Sequence, residues 1–159
     1  MRQSKNRVHW LWGIPRIFVG LVLVSTGIGK GLDMAGFVTV LDNYQFQPHW
    51  VSLILAYTLP FIELGTGICL LIAVQRIAIA WMAVGLHTLM LSVVVITLKR
   101  GIEVANCGCF GVFLARPLTT VTLIEDTVML AMSFLVLLDA WRRADKFSPF
   151  LARDSSKYG

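Results

Sequence analysis

Four long apolar runs alternate with short polar segments along this chain of 159 residues. The runs cover about residues 11–29, 50–73, 77–98 and 123–141. Each is close to the ~20 residues that an α-helix needs to cross the hydrocarbon core of a bilayer. The pattern predicts an all-α integral membrane protein in which residues 1–143 form one domain, a bundle of four transmembrane helices.

The polar segment after the first run has a helical pattern of its own. Phe37, Leu41 and Tyr44 recur at helical spacing between Asp33 and Pro48. This spacing predicts a short amphipathic external helix on the outer membrane face, where it could cover the mouth of the bundle. Residues 144–159 are polar, and we predict that they form a cytoplasmic tail.

Composition supports a membrane protein. Hydrophobic residues make up 57% of the chain and charged residues only 14%, whereas soluble domains average about 25% charged residues. The net charge is +5, but the basic residues cluster at both termini beside apolar runs. That distribution favours the lipid bilayer over nucleic acid as the partner of the basic groups.

The distribution of Lys and Arg also predicts the orientation. Nine of these residues lie on the side of the two termini and four on the other side, with Arg16 inside the first run. The positive-inside rule therefore predicts that both termini lie in the cytoplasm, which in a bacterium means a protein of the inner membrane. A cleavable signal peptide is the alternative for the first run; Arg16 interrupts its apolar part and favours an uncleaved helix.

Two cysteines, Cys107 and Cys109, flank Gly108 in the second external loop. In a bacterium this external side is the periplasm, where disulfides form and persist. A bond between cysteines this close would close a small strained ring, and strained disulfides exchange readily. A passive disulfide and a metal ligand pair remain alternatives, although so short a loop stabilises little and a zinc site needs more ligands. We predict redox exchange at this pair, no metal, and an inert, packed Cys69.

Glu63 and His87 lie near the middle of the second and third runs. Ionisable groups at that depth are costly unless they are paired, and they are candidates for function. We predict a hydrogen bond between them or one shared polar cavity. The pair could stabilise the bundle, conduct protons or hold the polar head of a quinone, the one cofactor that the pattern leaves open. Lys30, at the end of the first run, is predicted to lie at the membrane interface.

Taken together, these residues resemble the MauE/DoxX-like family of small four-helix bacterial membrane proteins, and its MauE members most closely. The resemblance covers roughly residues 11–140. The motif Asn106-Cys107-Gly108-Cys109-Phe110-Gly111 is its most specific part. The looser part comprises Lys30, Asp33, Phe37, Leu41, Tyr44, Pro48, Pro60, Glu63 and Gly67.

The resemblance implies a redox-associated accessory role in the maturation of methylamine dehydrogenase. It further implies a periplasmic thioredoxin-like protein or a disulfide-rich client as the partner. Whether the chain is itself a thiol–disulfide oxidoreductase or assists one is left open. Two alternatives are a small transporter, coupled through Glu63 and His87, and a structural subunit of a quinol-linked oxidase complex.

Overall fold

The computed structural model describes the backbone of residues 2–45, 47–74, 77–113 and 115–155, and the side chains of residues 13–45, 47–74, 77–113 and 115–144. The regular elements in these ranges are helices: α1 (Arg2–Gly31), α2 (Met34–Asp42), α3 (His49–Leu71), α4 (Ile77–Arg100) and α5 (Thr120–Ser155). Four segments are long and apolar enough to cross a membrane, namely Gly13–Gly31, His49–Leu71, Ile77–Arg100 and Thr120–Ala144. The four predicted spans and the short helix after the first are confirmed.

The four long helices pack in a ring. α1 packs most extensively on α3, and α4 on α5, while contacts of α1 with α5 and of α3 with α4 close the ring. Because consecutive spans run in opposite directions, α2 and the loop between α4 and α5 lie at the same end of the bundle. We call this the loop end.

Small residues set the register between α1 and α3. A Cβ atom at Gly27 would lie 2.8 Å from the carbonyl oxygen of Pro60, and one at Gly67 would lie 2.8 Å from the carbonyl oxygen of Gly20. Only glycine permits so close an approach at these positions. In this register the last residue of α1, Gly31, lies beside Pro60, about 16 Å along α3 from its first residue. The end of α1 is therefore recessed inside the loop end.

The recess is filled by α2 and by the loop that carries the two cysteines. The backbone of Phe110 lies against Gly29, and a Cβ atom on Gly36 would lie 2.8 Å from Val112. The carboxylate of Asp33 caps α2 by accepting a hydrogen bond of 2.8 Å from the Gly36 N–H. Phe37, Val38 and Val40 of α2 are buried. The apolar face of α2 thus packs on the protein, and α2 covers the loop end of the bundle.

The last helix is longer than its apolar run. α5 remains helical to Ser155, so residues 144–155 of the predicted tail continue the helix of the fourth span. The turn at Gln75 and Arg76, which joins α3 to α4, lies outside the described residues.

Candidate functional site

The loop between α4 and α5 is held by a small set of hydrogen bonds. The N–H of Cys107 donates to the carbonyl of Arg116 at 2.8 Å, and the N–H of Leu118 donates to the carbonyl of Val104 at 2.9 Å. The side chain of Asn106 accepts from the Gly108 N–H at 3.0 Å and donates to the Gly111 carbonyl at 3.2 Å. One asparagine therefore organises the turn that carries both cysteines.

Gly108 is required at the centre of this turn for two reasons. Its φ angle is +71°, a left-handed conformation that glycine adopts without steric cost. A Cβ atom there would also lie 2.7 Å from Val40 of α2. The turn can press against α2 only because this side chain is absent.

The two thiols are close and unbonded. Cys107 and Cys109 are free cysteines whose Sγ atoms lie 3.1 Å apart, well beyond the ~2.05 Å of a disulfide. Their shared hydrogen bond makes them unequal. The hydrogen bond between the two sulfurs lowers the pKa of Cys107 to about 6, with help from the charge of Arg116 and against the effect of burial. The same hydrogen bond, together with burial, raises the pKa of Cys109.

These two pKa values define different chemical roles. The lowered pKa favours the thiolate at Cys107, and the thiolate is the nucleophilic form of a cysteine. Cys109 keeps its proton and lies next to the thiolate. A reactive thiolate beside a protonated thiol is the arrangement that disulfide exchange requires.

α2 closes over this pair. The hydroxyl of Tyr44 donates a hydrogen bond of 2.5 Å to the carbonyl of Cys107. Tyr44 is buried, and burial raises the pKa of its phenol, so it remains a donor. Cys107 itself is only 7% exposed. A large reaction partner can therefore reach its sulfur only if α2 or the loop shifts.

Lys30 and Glu63 form a buried ion pair under the loop. Lys30 Nζ and Glu63 Oε1 are 2.5 Å apart, and the two side chains are 2% and 3% exposed. The ammonium also lies 5.6 Å from the ring centroid of Phe37. The prediction of an interfacial Lys30 is wrong, because the end of α1 is recessed and Lys30 shares a helical face with Gly27, three residues earlier.

The predicted hydrogen bond between Glu63 and His87 is replaced by other partners. His87 Nδ1 donates to the Ala83 carbonyl at 2.8 Å, and Ser133 Oγ lies 3.1 Å from the same nitrogen. The alternative prediction was one shared polar cavity, and the two side chains do share a cavity, but most of its lining is apolar. Glu63 and His87 both line a cavity of about 610 Å³, and so do Lys30 and Cys109.

The sequence analysis did not identify Asp126, which also lines this cavity. Next to it, Glu125 accepts two hydrogen bonds from Arg116, at 3.1 and 2.9 Å, on a partly exposed surface. The sequence signal for Asp126 was available, because it is an acidic residue near the start of the fourth apolar run. In the part of the chain that the structure describes, no group of three His, Cys, Asp or Glu side chains converges as a metal centre would require.

Comparison with known proteins identifies the family. The family model described as methylamine utilisation protein MauE matches residues 8–139. The chain belongs to the MauE family. No solved structure matches this MauE-family chain significantly.

Three relatives are named methylamine utilization protein MauE. The protein from Paracoccus denitrificans is 25% identical over 126 residues, which cover 79% of this chain and 67% of the relative. The protein from Methylophilus methylotrophus is 33% identical over 58% of this chain and 49% of its own length. The protein from Methylorubrum extorquens is 34% identical over 60% of this chain and 51% of its own length. The match thus spans about half the length of two of these MauE proteins and two thirds of the third.

The residues that carried the sequence resemblance to MauE converge in the fold. Lys30 pairs with Glu63, Asp33 caps α2, and Tyr44 bonds the backbone of Cys107. Residues scattered over three segments of the sequence thus surround the cysteine turn.

Proposed function

We propose that this MauE-family protein is a membrane thiol–disulfide component that supports the maturation of a periplasmic partner. Cys107 and Cys109 are its exchanging pair. The names of its relatives support a place in methylamine utilisation, and we propose the biogenesis of methylamine dehydrogenase as its setting. The partner is a thioredoxin-like protein or a disulfide-rich client. In this proposal both termini are cytoplasmic and the loop end faces the periplasm.

One observation carries the proposal: two free sulfurs lie 3.1 Å apart and differ in their ionisation. When the pair is oxidised, a thiolate of the partner attacks the Cys107–Cys109 disulfide and forms a mixed disulfide. A second partner thiolate then attacks the mixed disulfide, so that the partner gains a disulfide and this chain regains two thiols. Two electrons pass from the partner to the cysteine pair.

The surrounding residues support this chemistry by position. Gly108 permits the turn, and the Lys30–Glu63 ion pair fixes the end of α1 beneath it. His87 contributes an ionisable group to the cavity that Cys109 lines. The roles of Gly108, of the Lys30–Glu63 pair and of His87 are inferred from their positions in the fold.

Complementation tests the proposal. In a host whose deletion of this gene abolishes growth on methylamine, we expect Cys107→Ser/Cys109→Ser to reach the membrane at normal levels and to fail to restore growth. Cys69→Ser is the matched control, because Cys69 lies on α3 and does not line the cavity.

Full restoration of growth by the double variant would refute the thiol role. It would favour the transporter alternative, in which Glu63 and His87 are the ion-coupling groups. Failure of the Cys69→Ser control would also count against the proposal, because the effect would then follow from any loss of a cysteine.

A further inference from the structure

The cavity beside the cysteine turn lies between α1 and α5 and is largely apolar. Its volume of about 610 Å³ is within the range of small-molecule sites in proteins. Phe18, Ile124 and Val128 form part of its wall and are 46%, 63% and 51% exposed. They lie within spans, where exposed side chains contact lipid. The cavity is therefore accessible from the membrane interior.

The inner end of the cavity is polar. Lys30, Glu63, His87, Cys109 and Asp126 all line it. Within the described side chains, Glu63 Oε2 and Asp126 Oδ2 are buried and have no hydrogen-bond partner. Buried polar atoms are normally paired. These two are carboxylate oxygens, which accept hydrogen bonds, so this end can accept from a ligand that carries hydroxyl groups.

The two cysteines face different spaces. Cys109 lines the large cavity, whereas Cys107 lines a separate cavity of about 120 Å³ beneath α2, together with Tyr44 and Phe37. Cys109 is thus in contact with the membrane-accessible cavity, whereas Cys107 lies beneath α2. A molecule bound in the large cavity would therefore meet Cys109 and not Cys107.

We propose that the cavity between α1 and α5 binds a lipid-soluble quinone, which reoxidises the Cys107/Cys109 pair. The inference rests on the proposed thiol–disulfide function. The ring occupies the polar end beside Cys109, and the isoprenoid tail leaves between α1 and α5. The Cys107 thiolate and the Cys109 thiol form one S–S bond, the Cys109 S–H bond breaks, and two electrons pass to the quinone. The Cys109 proton and one proton from the medium convert the two quinone carbonyls into hydroxyls.

The test uses the full chain, reduced and reconstituted in phosphatidylcholine nanodiscs. A short-chain ubiquinone is added, and quinol formation and the loss of free thiols are followed together. Val128→Trp and Ile124→Trp each place a large ring in the part of the cavity wall that α5 provides. Leu135→Trp, on the exposed apolar surface of α5 outside the cavity lining, is the matched control.

We expect the wild-type protein and Leu135→Trp to form one quinol per disulfide. Either cavity variant should lower the rate with ubiquinone by about tenfold or more, the change that ~1.4 kcal/mol of lost binding produces. Oxidation by a water-soluble disulfide should be unchanged in every variant, which shows that the variants are folded and that their thiols are active. Crosslinking by a photoreactive quinone should be competed by ubiquinone and not by excess phospholipid.

The outcomes separate the two claims. If the soluble disulfide oxidises the pair but ubiquinone does not, or if phospholipid competes as well as ubiquinone does, the quinone site is wrong and the thiol function stands. Equal quinone rates in the cavity variants and in Leu135→Trp would also overturn the site. If neither oxidant forms the disulfide in the wild-type protein, both proposals are wrong.

Discussion

The Lys30–Glu63 ion pair gives the sharpest test of the architecture. Both groups lie inside the bundle with side chains that are 2% and 3% exposed, and the two atoms are 2.5 Å apart. Replacing Lys30 by Met keeps most of the apolar stem and removes the positive charge. It leaves the Glu63 carboxylate buried without its counter-charge, at a site where Oε2 already has no hydrogen-bond partner among the described residues.

The size of the effect follows from this burial. Removing one partner of a buried pair typically costs about 3–5 kcal/mol, because the remaining charge is desolvated and unpaired. The double variant Lys30→Met/Glu63→Leu removes both charges, and apolar replacement of a buried pair is often close to neutral. We therefore expect the double variant to be more stable than Lys30→Met by about 2 kcal/mol or more.

The assay is reversible unfolding in mixed micelles, driven by sodium dodecyl sulfate and followed by circular dichroism. Lys99→Met is the control, because Lys99 is exposed at the end of α4, and such changes usually stay within about 0.5 kcal/mol. If Lys30→Met lowers the free energy of unfolding by less than about 1 kcal/mol, the pair is not buried as described. If the losses from Lys30→Met and Glu63→Leu simply add in the double variant, the two groups are not coupled.

The remaining predictions concern the cysteine turn. The alkylation rate of Cys107 should rise with pH through a midpoint of about 6, because only the thiolate reacts. Arg116→Gln should raise this midpoint, because the charge of Arg116 helps to lower the pKa of Cys107. A wild-type midpoint near the ordinary ~8.5 would contradict the lowered pKa. Gly108→Ala should destabilise the protein more than Gly101→Ala does, because both glycines have a positive φ but only Gly108 is pressed against α2. Equal losses of unfolding free energy in the two variants would disprove the contact between Gly108 and α2. Tyr44→Phe should lose about 1 kcal/mol and speed maleimide labelling of the pair; unchanged labelling would show that α2 does not protect it.

The spans and α2 were predictable because apolar length and helical spacing are local properties of the chain. The segments 50–73 and 77–98 differ from His49–Leu71 and Ile77–Arg100 by two residues or fewer at each end. The CxC turn was also visible as a candidate site, because its residue types alone suggest thiol chemistry.

The partner of Glu63 was not predictable by the same means. Depth along a helix follows from sequence position, and depth suggested His87. The actual partner, Lys30, depends on the register and rotation of α1 against α3, which close contacts at Gly27 and Gly67 determine. Asp126 joins the same cavity only because α5 packs beside α1. The register and rotation of one helix against another cannot be read from the hydrophobic pattern of a single segment.

The central claim is that Cys107 and Cys109 exchange disulfides with a periplasmic protein. Its most direct test is to trap the mixed disulfide in intact cells with Cys109→Ser. In this variant the Cys107 thiolate attacks a disulfide of the oxidised partner, which is the reverse of the last exchange step and displaces one partner thiolate. The missing Cys109 thiol can then no longer release the partner from Cys107. The account predicts an adduct that disappears on reduction, that contains a periplasmic protein, and that is absent from Cys107→Ser/Cys109→Ser. The account is contradicted if cells with normal levels of the Cys109→Ser protein contain no adduct. It is also contradicted if Cys107→Ser/Cys109→Ser forms as much adduct as Cys109→Ser does.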